Sequence, residues 1–287
     1  MSVLLSVVIP SQHIEARQQS LVTACLQQSL SSEKFEIILV VPNQGRHSEA
    51  LLIERASIKV VKIPENNVSN ARNQGILCAQ GKYLLLLDDD VLPPDTRYFE
   101  NVLRLAETFK IPFIVGGAYL NPEKISPVAA TANTLANLWI QSGLKGTSYS
   151  DFATEARFLP GGALLASRSI FSRTLFPISI PWGGEDAVFI KHVQETGNKT
   201  FYSPVMDVIH AGNSSLIKFI RRAWFSGRAQ TLFGVSTEAK SVKISLFKDK
   251  ISLRLFSQFH LLFLHFVILI MAKQFYKIQR YNPNNKK

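Results

Sequence analysis

Tyr83-Leu84-Leu85-Leu86-Leu87-Asp88-Asp89-Asp90 sets one aromatic and four leucines directly against three carboxylates. An apolar run this short, with no turn residue inside it, reads as a strand buried on both faces. The acids then fall at its carboxyl end, where open α/β sheets bind ligands. Three adjacent carboxylates repel. At about 5 Å and an effective dielectric of about 20, each close pair costs roughly 3 kcal/mol. A divalent cation removes that penalty, and oxygen ligands suit Mn2+ or Mg2+. A solvated acidic turn is the plainer alternative.

Upstream, Val3–Ile9 reads as a strand stopped by Pro10, and Ile14–Leu30 as a helix. Phe35–Val41 is a second apolar strand, Arg46–Ala56 a short helix, and Ile58–Ile63 a third strand closed by Pro64. Strands alternating with helices imply parallel pairing through right-handed crossovers. Neither G-x-G-x-x-G nor G-x-x-x-x-G-K-[ST] occurs in this half, so no dinucleotide fingerprint or P-loop is expected. Val3–Ile9 has no basic start or cleavage-type small residues and is read as a strand, not a signal peptide. Ser69–Gln80 is expected as a helix with Ser69 as N-cap and Gly81 as stop. Its small residues Ala71, Gly75 and Ala79 would let it lie close on the sheet. Arg72 and Asn73 would then occupy its first turn, where backbone N–H groups favour anions and an arginine fork suits phosphate. An ordinary surface arginine is the alternative.

Beyond the acidic strand, Pro93-Pro94-Asp95 opens a helix with Tyr98, Val102, Leu105 and Phe109 inward. Phe113–Tyr119 is expected as a strand, Pro127–Ser142 as a helix on the second-substrate side, and Gly143–Phe158 as a loop that could act as a flap. Gly161 and Gly162 precede the apolar strand Ala163–Ala166, which suggests either a ligand close to the backbone or a tight turn. Trp182-Gly183-Gly184-Glu185-Asp186 leads into a helix running to Gln194. Acids in a first turn are often dipole partners only; the chemical reading is a carboxylate positioned as general base. Phe201–His210 reads as a short strand ending in a histidine, and lone histidines are more often structural than metal ligands. Leu216–Phe233 is a helix carrying Arg221, Arg222 and Arg228 with Trp224 and Phe225: a charged surface, a phosphate contact or a membrane-docking face.

With 287 residues and 46% hydrophobic content, the chain can bury one large domain with an appendage. The formal charge is +11. From Lys240 onward ten Lys/Arg face Asp249 alone, a net +9 that leaves only +2 for residues 1–239. The body is therefore no nucleic-acid binder by charge, and an anionic membrane surface is the partner expected for the basic tail. Within Ile251–Ala272, the apolar run 256–272 would make about 26 Å of helix against a hydrocarbon core of about 30 Å. Gln258, His260 and His265 weaken a span, so a peripheral or monotopic in-plane helix is preferred, with a single span or an oligomerisation helix as alternatives. Two cysteines in helix-like segments suggest a reducing compartment.

Taken in order, Ser6-Val7-Val8-Ile9-Pro10, Asn70-Ala71-Arg72-Asn73-Gln74-Gly75, Leu87-Asp88-Asp89-Asp90, Gly184-Glu185-Asp186 and Val208-Ile209-His210 resemble the family 2 glycosyltransferases over roughly residues 3–235. The resemblance implies an α/β fold: a single Rossmann-like, nucleotide-sugar-binding domain (the glycosyltransferase A fold) at 1–235; the helical membrane-associating tail at 236–287, read from its charge and apolar content, matches no general feature of the family. It implies an inverting transferase with a nucleotide-sugar donor, a saccharide or lipid-linked acceptor, and Mn2+ or Mg2+. Asp186 would be the base, with Asp88, Asp90 and His210 at the metal. Pro10, Asn43, Arg72, Asp88, Asp89, Gly161 and Gly162 fall on the donor side, and Trp182, Gly184 and Glu185 on the acceptor side. Localisation would be the cytoplasmic face of the membrane. The family usually ends its second strand in acids that contact the nucleobase. This chain has Val40-Val41-Pro42-Asn43, and Ser11-Gln12-His13 replaces the common Thr-Tyr-Asn type of sequence, so the base stays open. A sugar nucleotidyltransferase would need a Gly-rich basic loop after the first strand, which Pro10-Ser11-Gln12-His13 does not supply. A non-catalytic membrane adaptor is the rival from outside enzymology, and the intact acids argue against it.

Overall fold

The computed structural model describes residues 3–12, 16–44, 58–180, 183–232 and 253–281. The expected helix at Arg46–Ala56 lies outside them, as does Trp182. Four parallel strands, β1 (Leu5–Pro10), β2 (Phe35–Pro42), β3 (Ile58–Ile63) and β4 (Tyr83–Leu87), lie in the order β3-β2-β1-β4. Every residue of β1 and β4 is buried, which is why both read as continuous apolar runs. Beyond β4 the sheet continues as β10 (Ala163–Ser167), β6 (Phe113–Gly116), β11 (Lys199–Tyr202), β9 (Ala153–Ala156) and β8 (Leu144–Ser150). Strand β10 runs antiparallel to both neighbours. A second sheet of β5 (Val91–Leu92), β12 (Val208–His210) and β7 (Tyr119–Leu120) stands at the carboxyl edge.

Helix α1 (Ala16–Leu26) and α3 (Tyr98–Thr108) cover one face, with Tyr98, Phe99, Val102 and Leu105 buried. Helix α2 (Val68–Cys78) covers the other, and a Cβ on Gly75 would come within 2.3 Å of Val8 Cγ1. The small-residue stripe does bring this helix against the sheet. Its cap is Asn67, not Ser69: the Asn67 side chain accepts from the Asn70 N–H at 3.1 Å, while the Ser69 hydroxyl donates to the buried Ile180 carbonyl. The helix stops at Cys78, before Gly81. Gly81 is needed for packing instead, since a Cβ there would lie 2.6 Å from Ser6 N.

Three further expectations are corrected. Residues 143–158 are no flap: β8 and β9 form an antiparallel pair that widens the sheet, anchored by Tyr149 stacked on Phe109 at 5.0 Å. Phe201–His210 is broken at Pro204, which cannot donate to a ladder. A 3-10 turn, Pro204–Met206, redirects the chain from the large sheet to the small one. Phe113–Tyr119 is likewise split, because Gly117 passes so close to Met206 O that a Cβ would sit 2.0 Å away. These two breaks deliver His210 to the carboxyl edge, paired with Val91 and so next to Asp90.

The remaining helices, α4 (Pro127–Gly143), α5 (Glu185–Glu195), α6 (Leu216–Leu232) and α7 (Leu253–Tyr281), gather at that same edge. Helix α7 packs along α6 and against α4, where Leu135, Phe219 and Leu261 form a small cluster.

Candidate active site

Asp88, Asp89 and Asp90 follow β4 at its carboxyl end, as the sequence implies, but their side chains part company. Asp88 Oδ1 lies 2.6 Å from Arg72 Nη2, and Arg72 Nη1 lies 3.0 Å from Glu185 Oε1. Arg72 is only 2% exposed and, with the cap at Asn67, sits two residues deeper in α2 than expected. Its fork is committed to two carboxylates, not held open in a first turn. Burial alone would lower the Arg72 pKa, yet Asp88 and Glu185 hold it above its ordinary value. Asn73, expected beside it, instead exchanges hydrogen bonds with the backbone of Phe176. Asp89 turns back toward the β1–α1 connection, accepting from Ser11 Oγ at 2.7 Å and Gln18 Nε2 at 2.9 Å. Burial raises the Asp89 pKa, opposed by those two hydrogen bonds.

Asp90 Oδ2 lies 3.2 Å from His210 Nε2. The other imidazole nitrogen, Nδ1, faces the Asn133 amide oxygen, and Asn133 Nδ2 in turn donates to the His210 carbonyl at 2.9 Å. Tyr119 stacks on the ring at 4.1 Å. The imidazole is thus fixed with Nε2 directed at Asp90. The expected trio is not assembled: among the described residues no three His, Cys, Asp or Glu side chains converge as a metal set, because Asp88 is turned to Arg72. Asp90 and His210 remain, an oxygen and an imidazole donor side by side, a pair that would fit a divalent cation such as Mn2+.

Gly183 and Gly184 adopt φ of +81° and +96°, a left-handed turn open to glycine. A Cβ on Gly184 would meet Ala229 at 2.5 Å, so α6 also fixes this turn. Helix α5 starts there with Glu185 buried and Asp186 bordering the cleft. Asp186 Oδ2 accepts from Gly161 N–H at 3.0 Å and Oδ1 from Ala187 N–H at 2.8 Å. Burial, then the neighbouring Glu185 charge, push the Asp186 carboxyl up to about 6, against the opposing pull of Arg72. Arg72 Nε and Glu185 Oε2 are buried without hydrogen-bond partners among the described residues.

Most of these groups face one cleft of about 620 Å3, which His210, buried behind it, adjoins through Asp90; the volume is within the range of small-ligand sites. Pro10, Arg72, the three aspartates, Gly161, Gly184, Glu185 and Asp186 all line it. Two expected donor contacts do not. Asn43 pairs its backbone with Ile63 O and points its side chain outward, leaving Pro42 and Ile63 at that end. Gly162 is covered by Tyr119, whose hydroxyl accepts from its N–H at 3.0 Å. The close approach its glycine permits is therefore by protein. The opposite wall is helical: Leu135 and Trp139 of α4, Lys218 and Arg222 of α6, and His265 of α7. Sequence reasoning missed Tyr119, Asn133, Ser11 and Gln18. Asn133 left one faint signal, a polar residue on the inward face of an Ala-rich helix.

The site thus gathers the acids at the carboxyl edge of an α/β sheet and the Asp186 carboxylate around one cleft. The sequence model of Glycosyl transferase family 2 matches residues 6–174, and the chain belongs to that family. A curated relative, the minor teichoic acid biosynthesis protein GgaB of Bacillus subtilis (strain 168), is 32% identical over 111 residues. That match takes in 37% of this chain and 12% of the relative's length. Among solved structures, the mannosyltransferase PcManGT from Pyrobaculum calidifontis, in complex with GDP-Man and Mn2+, superposes with a TM-score of 0.60 at 13% identity, over 96% of this chain and 73% of that one. S. aureus TarS 1-349 in complex with UDP-GlcNAc gives 0.57 at 12% identity, over 89% and 78%. At such identities the two structures speak for the shared glycosyltransferase A fold.

Proposed function

We propose that the chain is an inverting, metal-dependent glycosyltransferase that moves a sugar from a nucleotide-sugar donor to a saccharide or lipid-linked hydroxyl acceptor in surface-polymer assembly. The observation that carries this reading is Asp186: a carboxylate raised toward neutrality at the start of α5, facing the same cleft as the acidic edge of β4. A base poised near working pH is suited to take a proton in the transition state. The donors bound by the mannosyltransferase and TarS, and the teichoic acid role of GgaB, support the substrate class.

Asp186 takes the proton of the acceptor hydroxyl as its oxygen attacks the anomeric carbon. The bond from that carbon to the diphosphate breaks, its electron pair leaves with the nucleoside diphosphate, and configuration inverts. Arg72 holds Asp88 and Glu185 in place around this centre. Asp90 and His210 would hold the divalent cation, Mn2+ or Mg2+, which when bound offsets charge on the departing diphosphate. Residues 1–235 would form the transferase domain and 236–287 the tail, with the enzyme at the cytoplasmic face of the membrane. Nucleoside diphosphate release should require Mn2+ or Mg2+, proceed slowly by donor hydrolysis and accelerate with an acceptor extract, and proton NMR of the transfer product should show the anomeric configuration opposite to the donor. Retained configuration would refute the inverting assignment.

A further inference from the structure

Helix α7 has two unlike faces. Leu261, His265, Leu269 and Ala272 are buried against α6 and α4, and Gln258 points the same way. A Cβ on Gly227 of α6 would meet Ala272 Cβ at 2.6 Å, so the two helices touch closely. The opposite face carries Phe259, Phe263, Phe266, Ile270 and Ile278, all largely exposed, while Phe275, at its border, packs on Trp224 of α6 at 5.5 Å. Nearly half of the exposed large apolar side chains among the described residues sit on this one helix. The stripe runs about 28 Å along the helix axis. Gln258 and His265 turn to the protein while the apolar stripe turns out, and the exposed side also carries His260, Gln274 and Lys277, the mixed edge of an interfacial helix.

A span is disfavoured by α6, which lies along α7 and carries Lys218, Arg221, Arg222 and Arg228. Those charges cannot follow α7 through hydrocarbon cheaply. An in-plane position leaves α6 above the lipid and buries only the outer stripe. Charge selects the occupant. Residues 240–287 hold a net +9. Two copies stacked through α7 would bring two such segments together, whereas anionic headgroups would be drawn to each.

The cleft joins this face to the chemistry. His265 lines the cleft from the inner side of α7, buried, with Nε2 lacking a hydrogen-bond partner among the described residues. Lys218 and Arg222 line the same wall. The cleft wall and the apolar stripe are thus opposite sides of one helix, about 10 Å apart. Resting on the transfer reaction proposed above, we infer that α7 lies in the plane of an anionic lipid surface through its outer stripe, and that the helical wall takes a membrane-borne acceptor, a saccharide carried on a lipid. The unpartnered imidazole nitrogen is placed to hydrogen-bond a hydroxyl of that head group, and the cations to meet its anionic linkage.

The test uses the full chain and the double variant Phe263→Asp/Ile270→Asp, with Phe152→Asp, on the β8–β9 hairpin, as an exposed control. In flotation with phosphatidylcholine vesicles containing phosphatidylglycerol, the native chain and the control should float. The double variant should partition at least about 10-fold less, given the apolar area each aromatic or aliphatic side chain contributes. Its melting temperature and its hydrolysis of donor in solution should not change. Transfer should go to the organic-solvent fraction of a membrane extract incorporated in vesicles, fall in the double variant, and return when detergent disperses that acceptor. Unchanged flotation of the double variant overturns the docking. A native dimer that the double variant dissolves, without flotation, assigns the stripe to a second copy instead. Transfer solely to water-soluble saccharide overturns the acceptor class. Absence of donor hydrolysis in every protein, with flotation behaving as stated, would count against the transfer reaction and leave the docking standing.

Discussion

Asp88 and His265 face one cleft from opposite walls, and they are held in different ways. The sheet-edge wall is a hydrogen-bonded network: Arg72 ties Asp88 to Glu185, Asp89 is held by Ser11 and Gln18, and Asp186 accepts two backbone N–H groups. The helical wall rests on apolar packing, with Leu135, Phe219 and Leu261 behind it and, in front, Lys218, Arg222 and a His265 ring whose Nε2 has no hydrogen-bond partner among the described residues. A charged, fully oriented wall suits a reacting centre that must not reorganise. An apolar wall with few polar anchors tolerates acceptors of varied shape.

The largest expected effect attacks the network at its knot. Arg72→Ala leaves Asp88, Glu185 and Asp186 clustered without their buried cation and should cost about 3–5 kcal/mol in urea unfolding. Arg72→Lys should not restore it, because one ammonium cannot reproduce a fork that spans two carboxylates. Loss below about 1 kcal/mol would show that the two walls are not so different after all.

Next comes the reacting group itself. Asp186→Asn should lower turnover at least about 10²-fold while donor affinity, by titration calorimetry, stays near native. A comparable fall in both would place Asp186 in donor binding. The same variant should melt no lower than the native chain above pH 6. Asp186 titrates near 6 in the fold, above the ordinary carboxylate range. Its stabilising contribution is therefore complete only at low pH and is lost as pH rises through about 6.

A smaller effect separates a positioning residue from a ligand. Asn133→Ala removes the partner of His210 Nδ1, and Mn2+ affinity measured by electron paramagnetic resonance should weaken about 10–100-fold. Turnover should recover at raised Mn2+. Failure to recover would give Asn133 another role. The mildest test is the pH profile: turnover should climb about tenfold per unit below pH 6 and level off above it, as expected when the charged Asp186 is the active form.

What the sequence disclosed follows the same division. Strands β1 and β4 and the aspartates after Leu87 are legible because burial on both faces writes an apolar run, and a run cut off by acids marks the sheet edge; β3, at the edge, shows instead as an apolar stretch broken by Lys59 and Lys62. Asp186 is legible because two glycines and two acids mark a helix start. The pairings that orient these groups are not. Arg72 reaches Glu185 across 113 residues, and Asn133 reaches His210 across 77. No local period records such contacts, so Arg72 reads as an anion site and Asn133 only as a polar residue in an Ala-rich helix. The β8–β9 hairpin escaped for another reason: Lys145, Gly146 and Thr147 look like loop residues, and the strand is held by its pairing with β9 and by Tyr149 against Phe109. Tertiary pairing overrode weak local propensity there. On the helical wall, the apolar content of α7 was plain, but which side faced inward could be known only once α6 was seen beside it.

The most direct measurement is calorimetric binding of nucleotide sugars to the native chain and to Asp90→Asn, each with and without Mn2+. The native chain should bind at least one nucleotide sugar in a Mn2+-dependent manner, and Asp90→Asn should lose that dependence while keeping its melting temperature. Binding that ignores Mn2+, or that survives unchanged in Asp90→Asn, would contradict the role given to the acidic edge of β4.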